Sequence, residues 1–556
     1  MLKTIEGKIT LVALVLVVLL GFVLRFYKVV LDPPSLNWDE VSIGYNAYSI
    51  LKTGRDEWGK FMPVHFKAYG EYKLPVQIYS SIPGIAIFGL NEFGVRITPV
   101  IYGVLTILFL FFLTKELFED KRIAFVSSFL LAISPWHIQL TRASFESSFS
   151  VFWVVLGAWL FIKGFKNRKY WLWSILPFII SIYTYNAARV FTPLLLFTLF
   201  IIYRKEILKN FKIFVLGLSI FIIAMVPLAS FIISGQATAR LKLVSITDDP
   251  GFVQRVNQAR GNTQLPTPLP RLIHNKVTHY VYVFIENYLS HFTPDFLFIN
   301  GAGHKQHHVQ GIGELYAIQA PFILIGLVFL FMSKNKWRWL LTSWLFLVFV
   351  PVAATVDSIP NALRTVLAAV PYQIFTALGF YEALAFFKRR KYFGWTMVAI
   401  SVTSLLISFR GYLNNYYDIY PTLYSRDWQY GYKQVASFVK AHYNDYDLIV
   451  FSRAYGEPHM FTLFFLNWNP ENYRNNPNLN RFEAYQWIWV LKFDKFYFPD
   501  LGDVGTHYQD IIDVNVGKKI LFIGKQGDFP DNLARLLIVD FLNGDRAFEI
   551  VEKNAK

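Results

Sequence analysis

The chain has 556 residues, 54% of them hydrophobic and gathered in long apolar runs, a composition that excludes one soluble core and makes lipid the solvent for much of it. Its 54 Lys and Arg against 38 Asp and Glu give +16, which in a soluble protein would point to nucleic acid. Here the basic residues sit in short loops between apolar segments, the pattern of cytoplasmic loops, so nucleic acid is excluded as a partner; the absence of cysteine excludes disulfides and thiolate metal sites.

The first apolar segment follows Lys3 and Lys8 and shows no small-residue cleavage site before Asp32, so it reads as a retained span with a cytoplasmic amino terminus. About eleven spans are predicted: residues 9 to 30, 94 to 117, 122 to 140, 147 to 164, 171 to 187, 188 to 203, 212 to 234, 316 to 333, 337 to 354, 363 to 387 and 393 to 410. The inner loops are then Lys115 to Arg122, Lys163 to Lys169, Arg204 to Lys212, Lys334 to Arg338 and Lys388 to Lys391, each basic. Leu74 to Leu90, broken by Pro75, Pro83 and Gly84, would invert every later loop if it crossed. It is therefore placed as a juxtamembrane or re-entrant element on the outer side. The same rule makes residues 171 to 203 two short helices meeting near Ala188.

The predicted fold class is a polytopic α-helical membrane protein with a C-terminal outward-facing soluble α/β domain. The membrane module covers 1–410, with outer loops at about 32–92 and 235–315, and the extracytoplasmic domain covers 411–556. In that tail a helical pattern runs from Tyr430 to Tyr443, with strands from Asp447 to Phe451, Lys519 to Gly524 and Leu536 to Phe541.

Charges against this apolar background mark the candidate site. Asn37-Trp38-Asp39-Glu40 follows the first span and opens the helical stretch Val41 to Leu51; Asp39 is a candidate general base for a hydroxyl nucleophile, and capping by Asp39 and Glu40 is the competing reading. Arg142 and Glu146 lie four apart and share one face if the helix continues, as a salt bridge or as site residues. Arg189 and Arg364 sit at outer helix ends, against the positive-inside rule, where arginine's planar fork suits a phosphate and snorkelling to head groups competes; Lys73 belongs to the same positive set. His304, His307 and His308 crowd one glycine-containing stretch and could bind a divalent metal ion, but no acid stands at convincing ligand spacing to support a metal or other cofactor.

At these residues the chain resembles the GT-C superfamily, within it the protein O-mannosyltransferase and lipid A aminoarabinose transferase branch. The resemblance covers roughly residues 9 to 410 and rests on an ordered set: Asp39-Glu40, Lys73-Leu74-Pro75, Glu92-Phe93-Gly94-Val95-Arg96, Arg142 with Glu146, Tyr185 to Pro193, and Pro360 to Arg364. It implies an inverting, single-displacement glycosyltransferase in a prokaryotic cell (inner) membrane. The donor would be a polyprenyl-phosphate-linked sugar, the acceptor a lipid, polysaccharide or protein, and membrane lipids would surround the spans. It also implies Asp39 as base, Lys73, Arg142, Arg189 and Arg364 as stabilisers of the departing lipid phosphate, and Glu40 or Glu146 as orienting groups. A transporter or lipid flippase would carry internal repeats and midplane charges, which this chain lacks; an envelope-assembly scaffold would use the carboxylates only structurally.

Overall fold

The structure is a computed structural model that describes residues 2–235, 244–248, 251–387, 391–484, 487–502 and 505–555. Residues 388–390 of the predicted inner loop lie outside the described residues. Among the described residues seven helices are long and apolar enough to cross a membrane, and an eighth crossing arises if Lys121–Ala132 and Pro135–Arg142, bent by 55°, form one span. Shorter apolar helices, Lys169–Ile182, Gln319–Met332 and Arg338–Ala353, occupy the other predicted spans, and the proline-broken stretch is the helix Pro75–Phe88. All the predicted segments are helical, but these three fall short of the ~20 residues that cross a bilayer unaided. The first helix, Leu2–Phe26, ends before residue 30, where Lys28 adopts a left-handed φ of 52°. Residues 171 to 203 do divide, into Lys169–Ile182 and Asn186–Leu208, so the break precedes the predicted junction at Ala188.

The chain packs as two compact units. The first comprises Met1–Arg25, Val100–Thr141 and Phe145–Leu413 and holds the membrane helices. Lipid-embedded helices gain no hydrophobic drive from meeting each other, so close backbone approach at small residues must hold them. Gly326 in Gln319–Met332 and Gly379 in Ala369–Phe386 supply it: a Cβ on Gly326 would run into the Phe375 carbonyl, and one on Gly379 into the Phe322 carbonyl.

The second unit comprises Phe26–Pro99, Arg142–Ser144 and Asn414–Lys556, so the first outer loop packs with the tail. It contains a hairpin, β1 (Phe66–Lys67) and β2 (Tyr72–Lys73), and seven further strands: β3 (Leu448–Phe451), β4 (Asn480–Ala484), β5 (Trp487–Phe493), β6 (Phe496–Tyr497), β7 (Lys519–Gly524), β8 (Leu537–Asp540) and β9 (Arg546–Asn554). These seven form one mixed sheet in the order β4-β5-β6-β3-β7-β9-β8; β3 runs parallel to both β6 and β7, and the other pairs are antiparallel. Side chains alternate along β7. Leu521 and Ile523 enter one core with Val41, Tyr432, Phe461 and Phe464, while Ile520 and Phe522 enter a second with Ile511, Ile512 and Phe529.

The first of these cores includes the helix Trp38–Thr53. At Gly44 a Cβ would stand 2.6 Å from the Phe464 ring and 2.7 Å from Val95, so only glycine lets that helix seat there. Of the predicted tail elements, β7 matches its limits, the helix is Tyr432–Ala441, β3 begins at Leu448 and β8 spans Leu537–Asp540. The strands β4, β5, β6 and β9 are additions to the sequence reading.

Gly379→Leu should force the two helices apart and cost about 1–3 kcal/mol in overpacking. The check is the thermal midpoint of the detergent-solubilised protein, followed by size-exclusion chromatography, expected to fall against wild type.

Candidate functional site

The site grows from the start of one helix. Asn37 is its N-cap: the Asn37 side-chain oxygen accepts from the Glu40 amide at 2.9 Å, and Glu40 Oε2 accepts from the Asn37 amide at 3.2 Å, a reciprocal capping box. Glu40 is completely buried. Arg96 meets it in a fork, Nε to Oε1 and Nη2 to Oε2, both at 3.0 Å, while the rest of the guanidinium donates to the carbonyls of Val29, Pro33 and Ser35. The Ser144 amide donates to Oε1 at 3.0 Å. The capping reading therefore holds for Glu40, whose oxygens are all engaged inside the protein.

Asp39, its neighbour, has a different environment. Its side chain is 34% exposed, and Oδ1 accepts from Lys73 Nζ, which β2 carries and which is 2% exposed. Two adjacent carboxylates thus separate by direction around the helix, one sealed and one partly open to the surroundings.

The residue before Asp39 is held on both sides. The Trp38 amide donates to Gln429 Oε1 at 2.8 Å and its carbonyl accepts from Tyr69 Oη at 2.9 Å. Gln429 is fixed in turn by donating to the Tyr455 carbonyl at 2.6 Å. Trp487 stacks on Tyr69 with ring centroids 5.7 Å apart and an interplanar angle of 13°, and its indole N–H donates to Glu457 Oε1 at 2.6 Å. Burial pushes the Glu57 and Glu457 carboxyls up to about 7 each; Arg481 and the Asn46 amide partly offset this for Glu57, and the Trp487 hydrogen bond and Arg453 do so for Glu457. Burial also drives His459, beside Glu457, down to about 3, so its ring is neutral. Glu57, Glu457 and Gln429 carry no mark of a site in the sequence: no local spacing connects positions about four hundred residues apart.

Arg142 and Glu146 do not share a helix. One helix ends at Arg142 and another starts at Glu146, because the chain between them makes tertiary bonds instead: Ser144 donates to Glu40, and its carbonyl and hydroxyl accept from Gln77 Nε2 at 2.7 and 2.9 Å. Arg142 is fully buried, donating to Tyr416 Oη at 2.9 Å, Tyr417 Oη at 3.2 Å and the Asp32 carbonyl at 2.8 Å. Asp39, Glu40, Lys73, Arg96 and Arg142 all belong to the second unit. Glu146, Arg189, Arg364 and the three histidines belong to the first.

There Arg189 lies 5.7 Å from the Phe231 ring centroid, and Arg364 pairs with Asp357 at 2.6 Å and donates to Thr355 Oγ1 at 2.8 Å. His308 engages Glu314 through Nδ1 at 3.0 Å and the Ile312 carbonyl through Nε2, while the His304 and His307 rings stack at 3.7 Å. Among the described residues no three His, Asp or Glu side chains form a set that could hold a metal ion.

Removing one partner of the buried pair leaves an uncompensated charge, so Arg96→Met should lower stability by about 3–5 kcal/mol, with the added change Glu40→Gln restoring part of it; thermal melts of the single and double variants check this. Glu57 and Glu457 bind protons in the folded state up to about pH 7 but, unfolded, only to the ordinary 4.5. Stability should therefore decline as pH rises between about 4.5 and 7 through these two groups. His459 contributes the opposite slope below 6.5, common to wild type and variant. The melting difference between wild type and Glu457→Gln should accordingly shift against wild type from pH 5 to pH 8; a difference independent of pH would contradict the raised carboxyl.

Residues 75–231 match the family described as Dolichyl-phosphate-mannose-protein mannosyltransferase. The Dolichyl-phosphooligosaccharide-protein glycotransferase 2 of Pyrococcus horikoshii is 29% identical over 150 residues, 26% of this chain and 19% of that protein, so the match spans less than a fifth of the relative. Among solved structures, ArnT from Cupriavidus metallidurans bound to undecaprenyl phosphate shares the fold over 98% of both chains, with a TM-score of 0.54 and 14% identity. The oligosaccharyltransferase AglB from Archaeoglobus fulgidus, in complex with an inhibitory peptide and a dolichol-phosphate, shares it with a TM-score of 0.50 and 15% identity over 83% of this chain and 64% of its own. By the matched segment and by a fold shared from end to end, this multi-span membrane protein is similar to the glycosyltransferases of the GT-C superfamily.

Proposed function

We propose that the chain transfers a sugar from a polyprenyl-phosphate-linked donor to a hydroxyl-bearing acceptor at the extracytoplasmic face of the cell (inner) membrane, with its amino terminus cytoplasmic and inversion at the sugar carbon. The observation that carries this reading is the separation of the two carboxylates: Glu40 is sealed by Arg96, while Asp39 keeps a partly exposed side chain beside Lys73. A sugar-accepting hydroxyl is a weak nucleophile and needs such a base.

In the proposed step the acceptor oxygen bonds to the anomeric carbon as the bond from that carbon to the phosphate oxygen breaks. The hydroxyl proton passes to Asp39, and the polyprenyl phosphate leaves with the bonding electron pair. ArnT's bound undecaprenyl phosphate supports this donor class. Lys73, Arg142, Arg189 and Arg364 remain the candidates to stabilise the leaving phosphate, and their present partners define what each would exchange: Lys73 the Asp39 carboxylate, Arg364 that of Asp357, and Arg142 two tyrosine hydroxyls. Glu40 is assigned a positioning role, and Glu146 an orienting one on the resemblance alone.

The test offers purified protein a panel of radiolabelled polyprenyl-phosphate sugars with membrane extract as acceptor. Asp39→Asn should lower transfer by about 10²–10⁴-fold; equal transfer by wild type and variant would remove Asp39 from the mechanism.

A further inference from the structure

Trp487 and Trp489, two residues apart on β5, present their rings on one face of the strand, with centroids 6.2 Å apart and both side chains half-buried. Arg453 lies 4.7 Å from the Trp489 ring centroid and bridges to Asp500 at 2.7 Å. Glu457 holds the Trp487 indole. These groups gather just beyond the carboxyl ends of β3, which stops at Phe451, and β6, which stops at Tyr497. Because β6 and β7 pair with opposite edges of β3, the loops leaving β3 and β6 part company there, and open α/β sheets hold their ligands in the crevice such a switch makes.

Two atoms of the loop after β3, Ser452 Oγ and Arg453 Nε, are buried without a hydrogen-bond partner. The crevice also adjoins Trp38, the residue before Asp39. Gly456 in the same loop has a φ of +115°, and a Cβ there would lie 2.5 Å from the Trp38 ring.

We propose that this crevice is the acceptor subsite and that it takes a glycan, a reading that rests on the glycosyl-transfer function above. Flat indole faces match the C–H faces of a sugar ring, and a guanidinium and carboxyls beside them supply partners for its hydroxyls. A lipid tail would leave those polar groups unanswered. The sugar ring stacks on Trp489 and Trp487, and Arg453 takes one of its hydroxyls, which brings a neighbouring hydroxyl toward Asp39.

Saturation-transfer NMR on the full chain in detergent, with mannobiose, cellobiose, maltose and lactose as probes and no donor present, tests this. At least one disaccharide should receive saturation; Trp489→Ala should weaken it about tenfold, and Trp489→Phe, which keeps a ring, should keep most of it. If Trp489→Ala fails to fold by its melting profile, Arg453→Gln reads the same crevice, and there too the signal should drop. Wild-type protein silent to all four sugars, or variants with unchanged signal, would overturn the assignment, as would saturation of a hydroxylated peptide in place of the sugars. Binding is read without turnover: Asp39-dependent transfer with no sugar binding sinks only the glycan crevice, whereas sugar binding without such transfer sinks the transfer reading and leaves the crevice standing.

Discussion

The buried pair between Glu40 and Arg96 is the constraint on which the rest of the site depends. One guanidinium joins the first turn of the helix Trp38–Thr53, three carbonyls of the segment from Val29 to Ser35 and the start of the helix Glu92–Phe118. The Ser144 amide adds a fourth segment through the same carboxylate. Burying both charges is unfavourable in itself, so such a pair is weak grounds for stability. What it supplies is geometry. The start of the helix that carries Asp39, the helix Glu92–Phe118 and the Ser144 segment are all tied to the oxygens of Glu40.

This explains why two adjacent acids, chemically alike, have unlike environments. A helix turns about 100° per residue, so consecutive side chains cannot face the same way. The inward position finds Arg96 and is spent on architecture; the outward one finds Lys73 and an opening. A single-residue slip at Asn37 would exchange the two, and the capping box is the device that prevents the slip.

Much of the fold was legible because its signals are long or periodic. Lipid demands extended apolar runs, and each predicted span is helical; β7 shows in Lys519 to Gly524 as a continuous apolar strand buried on both faces. The site was legible only where its residues lie close in sequence, as at Asp39 and Glu40. The helix break at Ala143 to Phe145 was not, since what ends the helix is a set of bonds from Ser144 to Glu40 and Gln77, residues about seventy and a hundred positions away. Nor were Gln429 and Glu457, because a glutamine and a glutamate in a tail carry no local mark of the tryptophans they hold. The hairpin of β4 with β5 was not legible either, since Trp487 and Trp489 obscure the alternation that identifies a strand.

The grip on Trp38 has a consequence for how such proteins diversify. Gln429, Gly456 and, through Tyr69, Trp487 all bear on the residue next to Asp39. A lineage therefore cannot acquire a new specificity by grafting a foreign tail at the end of the last membrane helix, because the graft would arrive without its matching first loop. The two distant stretches of gene that encode the loop and the tail form one heritable piece, and drift in either must be answered in the other.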